Sequence, residues 1–278
     1  GLYRFDSVAG RFLEDTTYFD QFMIRDRTRE RKYDHYPGSK VDRNDNLLLA
    51  HGNGILTREG KVFRFLNSSN KCADFTALDI LEDTAQRRIL AASNDIVELD
   101  DRGNCRTLTK GRNALNGIYL LDLEIGPHGR VWTATSDQLG YLDGDSLVKY
   151  SDIGSFPIHF DQKRLLWAAG RWGEGLLAIE PDIGRSWPVA PAFLERFLSF
   201  IDQIGDTYLL IGVVDGLFLI RLDEYYRSGK VFMAHFNHHN GLMGQECAQN
   251  SLFRDKNGVF YFPTESAIIS MEPSQLKK

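Results

Sequence analysis

A short phrase recurs along this chain: a polar turn, then Gly-Leu or an equivalent pair, then an apolar strand. Its clearest copies are Gly175-Leu176-Leu177-Ala178-Ile179-Glu180 and Gly216-Leu217-Phe218-Leu219-Ile220. The copies begin at positions 1, 54, 95, 139, 175, 216 and 266, with spacings of 53, 41, 44, 36, 41 and 50 residues. Repeats of roughly 40 to 50 residues are typical of four-stranded propeller blades.

Each repeat also divides into short strands separated by polar turns. In one repeat, hydrophobic patterning predicts strands at 118–123, 131–134, 139–142 and 147–150. No inner strand precedes the first phrase, so the pattern predicts an all-β, seven-bladed β-propeller whose first blade is incomplete. A six-bladed ring is the alternative. Helix signals are sparse, and only 20–32 and 191–200 have a composition that favours a brief helix.

Composition indicates a folded globular protein. Hydrophobic residues make up 42% of the 278, and 25 glycines beside only 8 prolines suit many tight turns between short strands. We therefore expect a single β-propeller domain over residues 1–278. The net charge of -5 provides no electrostatic footprint for a phosphate backbone, so nucleic acid is not an expected partner.

The cysteines and the chain start bear on the cellular context. Cys72, Cys105 and Cys247 are an odd number without Cys-x-x-Cys spacing, which predicts buried thiols rather than a disulfide framework or a zinc site. No apolar run approaches the roughly 18 residues that a membrane span requires. The chain opens within a blade and without a methionine, so we expect it to be a fragment of a longer polypeptide.

The last repeat carries the most specific motif. It combines Asn240-Gly241-Leu242, the turn Asp255-Lys256-Asn257-Gly258, the strand Phe260-Tyr261-Phe262 and the stretch Pro273-Ser274-Gln275-Leu276. Together with the repeated Gly-Leu phrase, this motif resembles the two-component regulator propeller family. The resemblance extends along essentially the whole chain. It departs from that family at Glu265-Ser266, where a glycine-rich turn is usual.

The resemblance implies a non-catalytic sensor domain in the periplasmic or extracytoplasmic part of an inner-membrane receptor, a hybrid two-component histidine kinase. The implied ligand is a glycan fragment or similar small molecule. The implied neighbours are further propeller and β-sandwich modules of the same receptor, with a homodimer as another arrangement. No cofactor is implied.

The strongest ligand candidate is the loop 170–175, Gly-Arg-Trp-Gly-Glu-Gly, because its glycines allow the backbone to present Arg171 and Trp172 outward. In propellers, the turns between second and third strands and the links before first strands surround one channel mouth. These segments supply four further predicted ligand contacts: Asn53, Asp137, Arg196 and Asp215. An aromatic face beside carboxylates and a guanidinium suits a neutral or acidic sugar. The same residues also fit ordinary polar loops.

Two other function classes stay open. A propeller lactonase or lyase would hold a metal at the same mouth with acids drawn from Asp74, Asp137, Asp215 and Glu246, although Arg171 and Arg196 nearby would oppose a dication. A protein-binding scaffold is the other class. His235, His238 and His239 have no acidic or cysteine partner at ligand spacing, so no metal site is predicted there.

Overall fold

Antiparallel sheets follow one another along the chain, each built from strands that are consecutive in sequence. The computed structural model describes residues 3–6, 11–14, 39–41, 47–51, 54–59, 62–66, 77–83, 87–92, 95–100, 104–108, 120–144, 146–170, 173–240, 242, 246–247, 249–250, 252–254, 258–264 and 268–273.

Five of the sheets are four-stranded blades. Blade 1 contains β3 (Ser39–Val41), β4 (Leu47–His51), β5 (Gly54–Glu59) and β6 (Val62–Leu66). Blade 2 contains β7 (Ala77–Glu82), β8 (Arg88–Ala92), β9 (Ile96–Leu99) and β10 (Cys105–Thr107). Blade 3 contains β11 (Leu120–Ile125), β12 (Val131–Thr135), β13 (Leu139–Asp143) and β14 (Ser146–Ser151). Blade 4 contains β15 (Ser155–Phe160), β16 (Leu166–Gly170), β17 (Leu176–Glu180) and β18 (Arg185–Pro188). Blade 5 contains β19 (Leu198–Ile204), β20 (Tyr208–Val213), β21 (Gly216–Arg221) and β22 (Met233–Phe236).

Two smaller sheets flank the blades in sequence. β1 (Tyr3–Asp6) pairs with β2 (Arg11–Glu14). β23 (Phe253–Arg254), β24 (Phe260–Pro263) and β25 (Ile268–Met271) form a three-stranded sheet, and a bridge from Cys247 to Thr264 extends it. We refer to this three-stranded sheet as the terminal sheet.

The all-β propeller prediction is confirmed, but the blade count is wrong: the described residues form five four-stranded blades, not seven or six. The repeated phrase is a local hairpin signal, and in the five blades it marks the third strand. Counting it therefore also counted β1, which pairs with β2 in a two-stranded sheet, and β25 in the terminal sheet. The four strands predicted within 118–150 agree with β11 to β14.

Blades 2 to 5 bury both faces of their sheets against neighbouring sheets, because successive side chains of a strand point to opposite faces. In β16, Leu166 and Ala168 pack against blade 3, whereas Trp167 and Ala169 pack against blade 5. In β20, Leu209 packs against blade 4, whereas Leu210 packs with Phe260 of the terminal sheet. Two-sided burial explains why the strands are almost continuously apolar.

A buried carboxylate organises the turn between the first two strands of blade 4. Asp161 is 5% exposed and accepts hydrogen bonds from the backbone N–H groups of Lys163 (2.8 Å) and Leu165 (3.0 Å). It also accepts from Trp167 Nε1 at 2.8 Å and from the hydroxyl of Tyr226 in blade 5. Burial, and then the bond to Asp161, raise the pKa of Tyr226. One carboxylate thus joins the turn, the core and the next blade.

Asp161→Ala should lower the free energy of unfolding by about 3 kcal/mol, because it leaves several buried donors without an acceptor. Urea unfolding followed by tryptophan fluorescence measures the change. Asp182→Ala, at an exposed turn position of the same blade, is the matched control and should stay within about 0.5 kcal/mol of the wild type. Equal effects of the two substitutions would contradict this role of Asp161.

Two local features differ from the sequence predictions. A short helix, α1 (Leu222–Ser228), joins β21 to β22 and ends at Gly229, whose φ of 70° is left-handed; the predicted helix at 191–200 is only a 3-10 turn at Pro191–Phe193. Cys105 is disulfide-bonded, which corrects the prediction of buried thiols at that position, whereas Cys247 is a buried thiol as predicted and donates to Gly216 O. The predicted helix at 20–32 and Cys72 lie outside the described residues. Within the described part of the chain, no helix is long and apolar enough to cross a membrane.

Candidate functional site

The innermost strands of blades 2 to 5 and the segment before β23 enclose a cavity of about 170 Å³. Its walls are strongly acidic. The polar and charged residues that line it are Asp79, Asp122, Glu124, His159, Asp202 and Asn250. The carboxylates come from β7, β11 and β19, and the imidazole comes from β15.

Two of these carboxylates connect consecutive blades. Asp79 and Asp122 occupy corresponding positions, each directly after a register shift in its innermost strand. Asp79 accepts from its own neighbour Ile80 N–H (2.7 Å) and from Leu123 N–H in blade 3 (2.9 Å). Asp122 likewise accepts from Leu123 N–H (2.9 Å) and from Ile158 N–H in blade 4 (2.8 Å). Each carboxylate therefore satisfies backbone donors that the bulge leaves unpaired and links its blade to the next.

The environment of Asp122 disfavours its charged form. Burial raises the pKa of Asp122 well above its usual value, and the neighbouring charges of Asp79 and Glu124 raise it further, while the bond from Ile158 N–H acts in the opposite direction. A group with a raised folded-state pKa contributes stability that is fully present below its unfolded pKa, about 3.9, and lost as pH rises through the folded value.

Asp122→Asn should therefore flatten the dependence of stability on pH above about pH 4, because the amide keeps an acceptor oxygen but cannot ionise. The measurement is the urea midpoint at intervals from pH 4 to pH 8. Asp143→Asn, at an exposed position of the same blade, is the control and should follow the wild type. A slope in Asp122→Asn equal to that of the wild type would rule out an ionisation of Asp122 in this range.

His159 lies between two further carboxylates of the cavity. Its Nδ1 is 3.3 Å from Glu124 Oε1 in blade 3, and its Nε2 is 3.9 Å from Asp202 Oδ1 in blade 5. The Nε2 atom is buried and has no hydrogen-bond partner. His159 belongs to the innermost strand β15 itself.

A second candidate region lies at the mouth of the channel, where two predicted contacts meet. Arg196, in the link before β19, forms an ion pair with Asp215, in the turn between β20 and β21. Arg196 Nε also donates to Ala192 O at 2.7 Å, and its guanidinium lies 5.5 Å from the ring centroid of Phe218. Asp215 O contacts His235 Nε2 at 3.1 Å. Arg196 and Asp215 thus form one fixed polar group.

Exposed apolar residues lie close to this ion pair in sequence. Leu194 and Phe197 flank Arg196 and are 48% and 50% exposed, and Val214, next to Asp215, is 44% exposed. The ring centroid of Phe197 lies 6.3 Å from that of Phe156, at the start of β15. We name Leu194, Arg196, Phe197, Val214 and Asp215 the mouth patch. It combines a guanidinium and a carboxylate with an accessible aromatic ring.

The described ends of the loop 170–175 approach the same link. Gly175 has a left-handed φ of 71°, and a Cβ there would lie 2.8 Å from the carbonyl carbon of Phe193. A larger residue is therefore excluded on both grounds.

Three of the predicted ligand contacts, Arg171, Trp172 and Asn53, lie outside the described residues. Asp137 lies in the β12–β13 turn of blade 3, where its N–H donates to Thr135 Oγ1 at 3.2 Å; blade 4 separates it from the mouth patch.

The acidic cavity was missed at the sequence level, although a signal for it exists. The phrase Leu-Asp-apolar occurs at Leu78-Asp79-Ile80 and again at Leu121-Asp122-Leu123, which places an acid at one position of two successive innermost strands.

The enzyme alternative requires a metal site. Among the described residues, no group of three or more His, Cys, Asp and Glu side chains is arranged to hold a metal ion; Asp74 lies outside them.

Comparison with known protein families finds no match for this chain. Among curated proteins, 140 residues of it are 28% identical to the phosphoribosylformylglycinamidine synthase subunit PurL of Caldivirga maquilingensis. The match covers 49% of this chain and 18% of that protein. Because the chain spans less than a fifth of that relative, the synthase activity is not carried over to it.

Solved propeller structures share the fold. The virginiamycin B lyase of Staphylococcus aureus matches with a TM-score of 0.64 and 12% identity, over 87% of this chain and 85% of that chain. A gluconolactonase of Xanthomonas campestris matches with a TM-score of 0.62 and 14% identity, over 84% of each chain. The extracellular domain of a hybrid two-component system of B. thetaiotaomicron matches with a TM-score of 0.66 and 11% identity, over 88% of this chain and 32% of that chain. Identities this low show a common fold and nothing more.

Proposed function

We propose that this propeller is a non-catalytic ligand-sensing domain of a two-component signalling receptor, and that it binds a glycan fragment or similar small ligand at the mouth patch. The observation that carries the proposal is the fixed Arg196–Asp215 pair set among exposed apolar side chains. Sugars are bound by aromatic faces together with a few well-placed polar groups, and the mouth patch offers both.

The geometry favours a ligand over an ordinary polar surface. Arg196 is held by Asp215 and by Ala192 O, so its position is set before a ligand arrives. Phe197 is half exposed beside it. A preorganised polar group loses little conformational freedom on binding, and an exposed ring gains by being covered. Trp172 and Arg171, in the loop whose end abuts Phe193, are proposed as further contacts.

An extracytoplasmic location agrees with two observations. Cys105 is disulfide-bonded, and disulfides persist mainly in oxidising compartments. One structural neighbour is an extracellular domain of a hybrid two-component system that is about three times as long as the part this chain covers. We propose that the propeller likewise adjoins further propeller and β-sandwich modules outside the inner membrane, with homodimer formation as another arrangement.

Signalling by such a domain requires differential binding. A ligand that touches both the mouth patch and an adjoining module or second protomer favours one arrangement of the two. The free energy available for signalling equals the difference between the free energies with which the ligand binds the two arrangements. No chemical step is needed within the propeller.

Arg196→Ala and Phe197→Ala should each weaken ligand binding about thirtyfold, the equivalent of about 2 kcal/mol lost from a central contact. A panel of neutral and uronate-containing oligosaccharides, screened by thermal shift, supplies the probe, and calorimetry measures its dissociation constant. Trp172→Ala and Arg171→Ala are expected to act in the same way.

Ile183→Ala is the matched control, because Ile183 is 68% exposed but lies in the β17–β18 turn at the opposite end of blade 4. It should leave the dissociation constant unchanged. Unchanged affinity in both Arg196→Ala and Phe197→Ala would place the site elsewhere, and a panel without any binder would count against a glycan ligand.

The likeness to a lyase and a gluconolactonase over most of both chains makes an enzyme the second candidate. In that case Asp137, Asp215 and Glu246 would have to recruit a metal at the mouth. Asp215 is already paired with Arg196, whose charge opposes a dication. This pairing supports the sensing proposal over the enzymatic one.

The domain should therefore show no turnover of lactones or oligosaccharides when calcium is added. Hydrolysis followed by product chromatography, alongside a calcium titration by calorimetry, tests this. Reproducible turnover that Asp137→Ala abolishes would establish the enzyme instead.

A further inference from the structure

His159 connects three blades through a single side chain. It belongs to the innermost strand of blade 4, and its two ring nitrogens face Glu124 of blade 3 and Asp202 of blade 5, at 3.3 Å and 3.9 Å. The side chain is 15% exposed, and its Nε2 atom is buried. An imidazole in this position can therefore hold its neighbours together or release them according to its charge.

The two ring nitrogens differ in their present bonding. A hydrogen bond from Nδ1 to the Glu124 carboxylate requires the proton on Nδ1, since an ionised carboxylate only accepts. In the neutral ring Nε2 then carries a lone pair, which faces another acceptor, and it has no hydrogen-bond partner. A second proton turns Nε2 into a donor that faces Asp202 Oδ1 at 3.9 Å and adds a charge attraction between the two groups.

We infer that Glu124, His159 and Asp202 form a proton-dependent clamp across the innermost strands of blades 3, 4 and 5, closed when His159 is doubly protonated and loosened when it is neutral. The ionised carboxylates around His159 favour the closed form: Asp161 directly follows the same strand, and Asp79 lines the cavity. The cavity is also lined by Asp122, whose charged form is disfavoured, and by the uncharged Asn250 in the segment before β23. Among the described residues that line this cavity, none is Lys or Arg.

The direction of the ionisation agrees with the geometry. Burial alone lowers the pKa of His159, but the hydrogen bond to Glu124 and the charges of Glu124, Asp202 and Asp161 outweigh it, so the net pKa is raised. A raised folded-state pKa contributes stability that is fully present below the unfolded value of about 6.5 and is lost as pH rises through the folded value. The clamp thus loosens as pH rises through the folded-state pKa of His159, which lies above 6.5. It does not depend on the proposed ligand.

The first test measures the charge of His159 directly in the whole domain. The seven histidines are labelled at Cε1 and titrated by NMR, and the His159 signal is identified by its loss in His159→Gln. We expect the pKa of His159 to lie above 6.5 and to fall in Glu124→Gln, which removes the carboxylate charge beside Nδ1. If His159→Gln does not fold, the signal is identified as the one that shifts in both Glu124→Gln and Asp202→Asn.

The second test measures how the charge of His159 affects the thermal stability of the domain. Relative to His159→Gln, the wild type should have a melting temperature about 3 °C higher at pH 6, and this difference should vanish by pH 9. His239→Gln, an exposed histidine outside the cavity, should show no pH-dependent difference from the wild type.

A His159 pKa at or below 6.5 that Glu124→Gln leaves unchanged would overturn the clamp. A stability difference between wild type and His159→Gln that is the same at pH 6 and pH 9 would also overturn it, because a purely structural contact does not change with pH. A pKa and a melting temperature that both follow the expected directions would establish it.

Discussion

Every blade depends on its neighbours, because each four-stranded sheet has two apolar faces and no layer of its own to cover them. Leu90 of blade 2 is buried against blade 1, while Ile89 and Ala91 of the same strand are buried against blade 3. An isolated blade would expose about half of its core to water, and the hydrophobic effect opposes this. The stability of the propeller therefore depends on the interfaces between successive blades rather than on the single sheets, as in other repeat architectures.

This dependence also fixes the chemistry of the cavity. Where the innermost strands bulge, backbone donors turn toward the cavity and need acceptors, and Asp79 and Asp122 supply them across the blade boundary. The acids are thus structural groups, and burial, followed by the charges of the neighbouring acids, raises the pKa of Asp122. Among the described lining residues, His159 provides the imidazole. The same carboxylates therefore bridge the blades and disfavour one another's ionised forms.

The mouth patch is built on a different principle. Its charges are paired at the surface, where solvent screens them, and the pair contributes little to stability. What distinguishes the patch is exposure of Leu194, Phe197 and Val214 around a held guanidinium. Exposed apolar side chains do not stabilise the fold, and patches of them often mark binding sites. The binding hypothesis therefore rests on them.

The sequence by itself determined the strand pattern and the hairpin turns, because alternation of apolar residues and turn chemistry are local properties. It also placed Arg196 and Asp215 at one mouth, since both follow from strand order. The tertiary structure alone decided three things: that five sheets have four strands, that Asp79 and Asp122 bridge blades, and that His159 lies between Glu124 and Asp202. These depend on which strands become neighbours and on how closely they pack, and residues 35 or more positions apart carry no local signal of that distance.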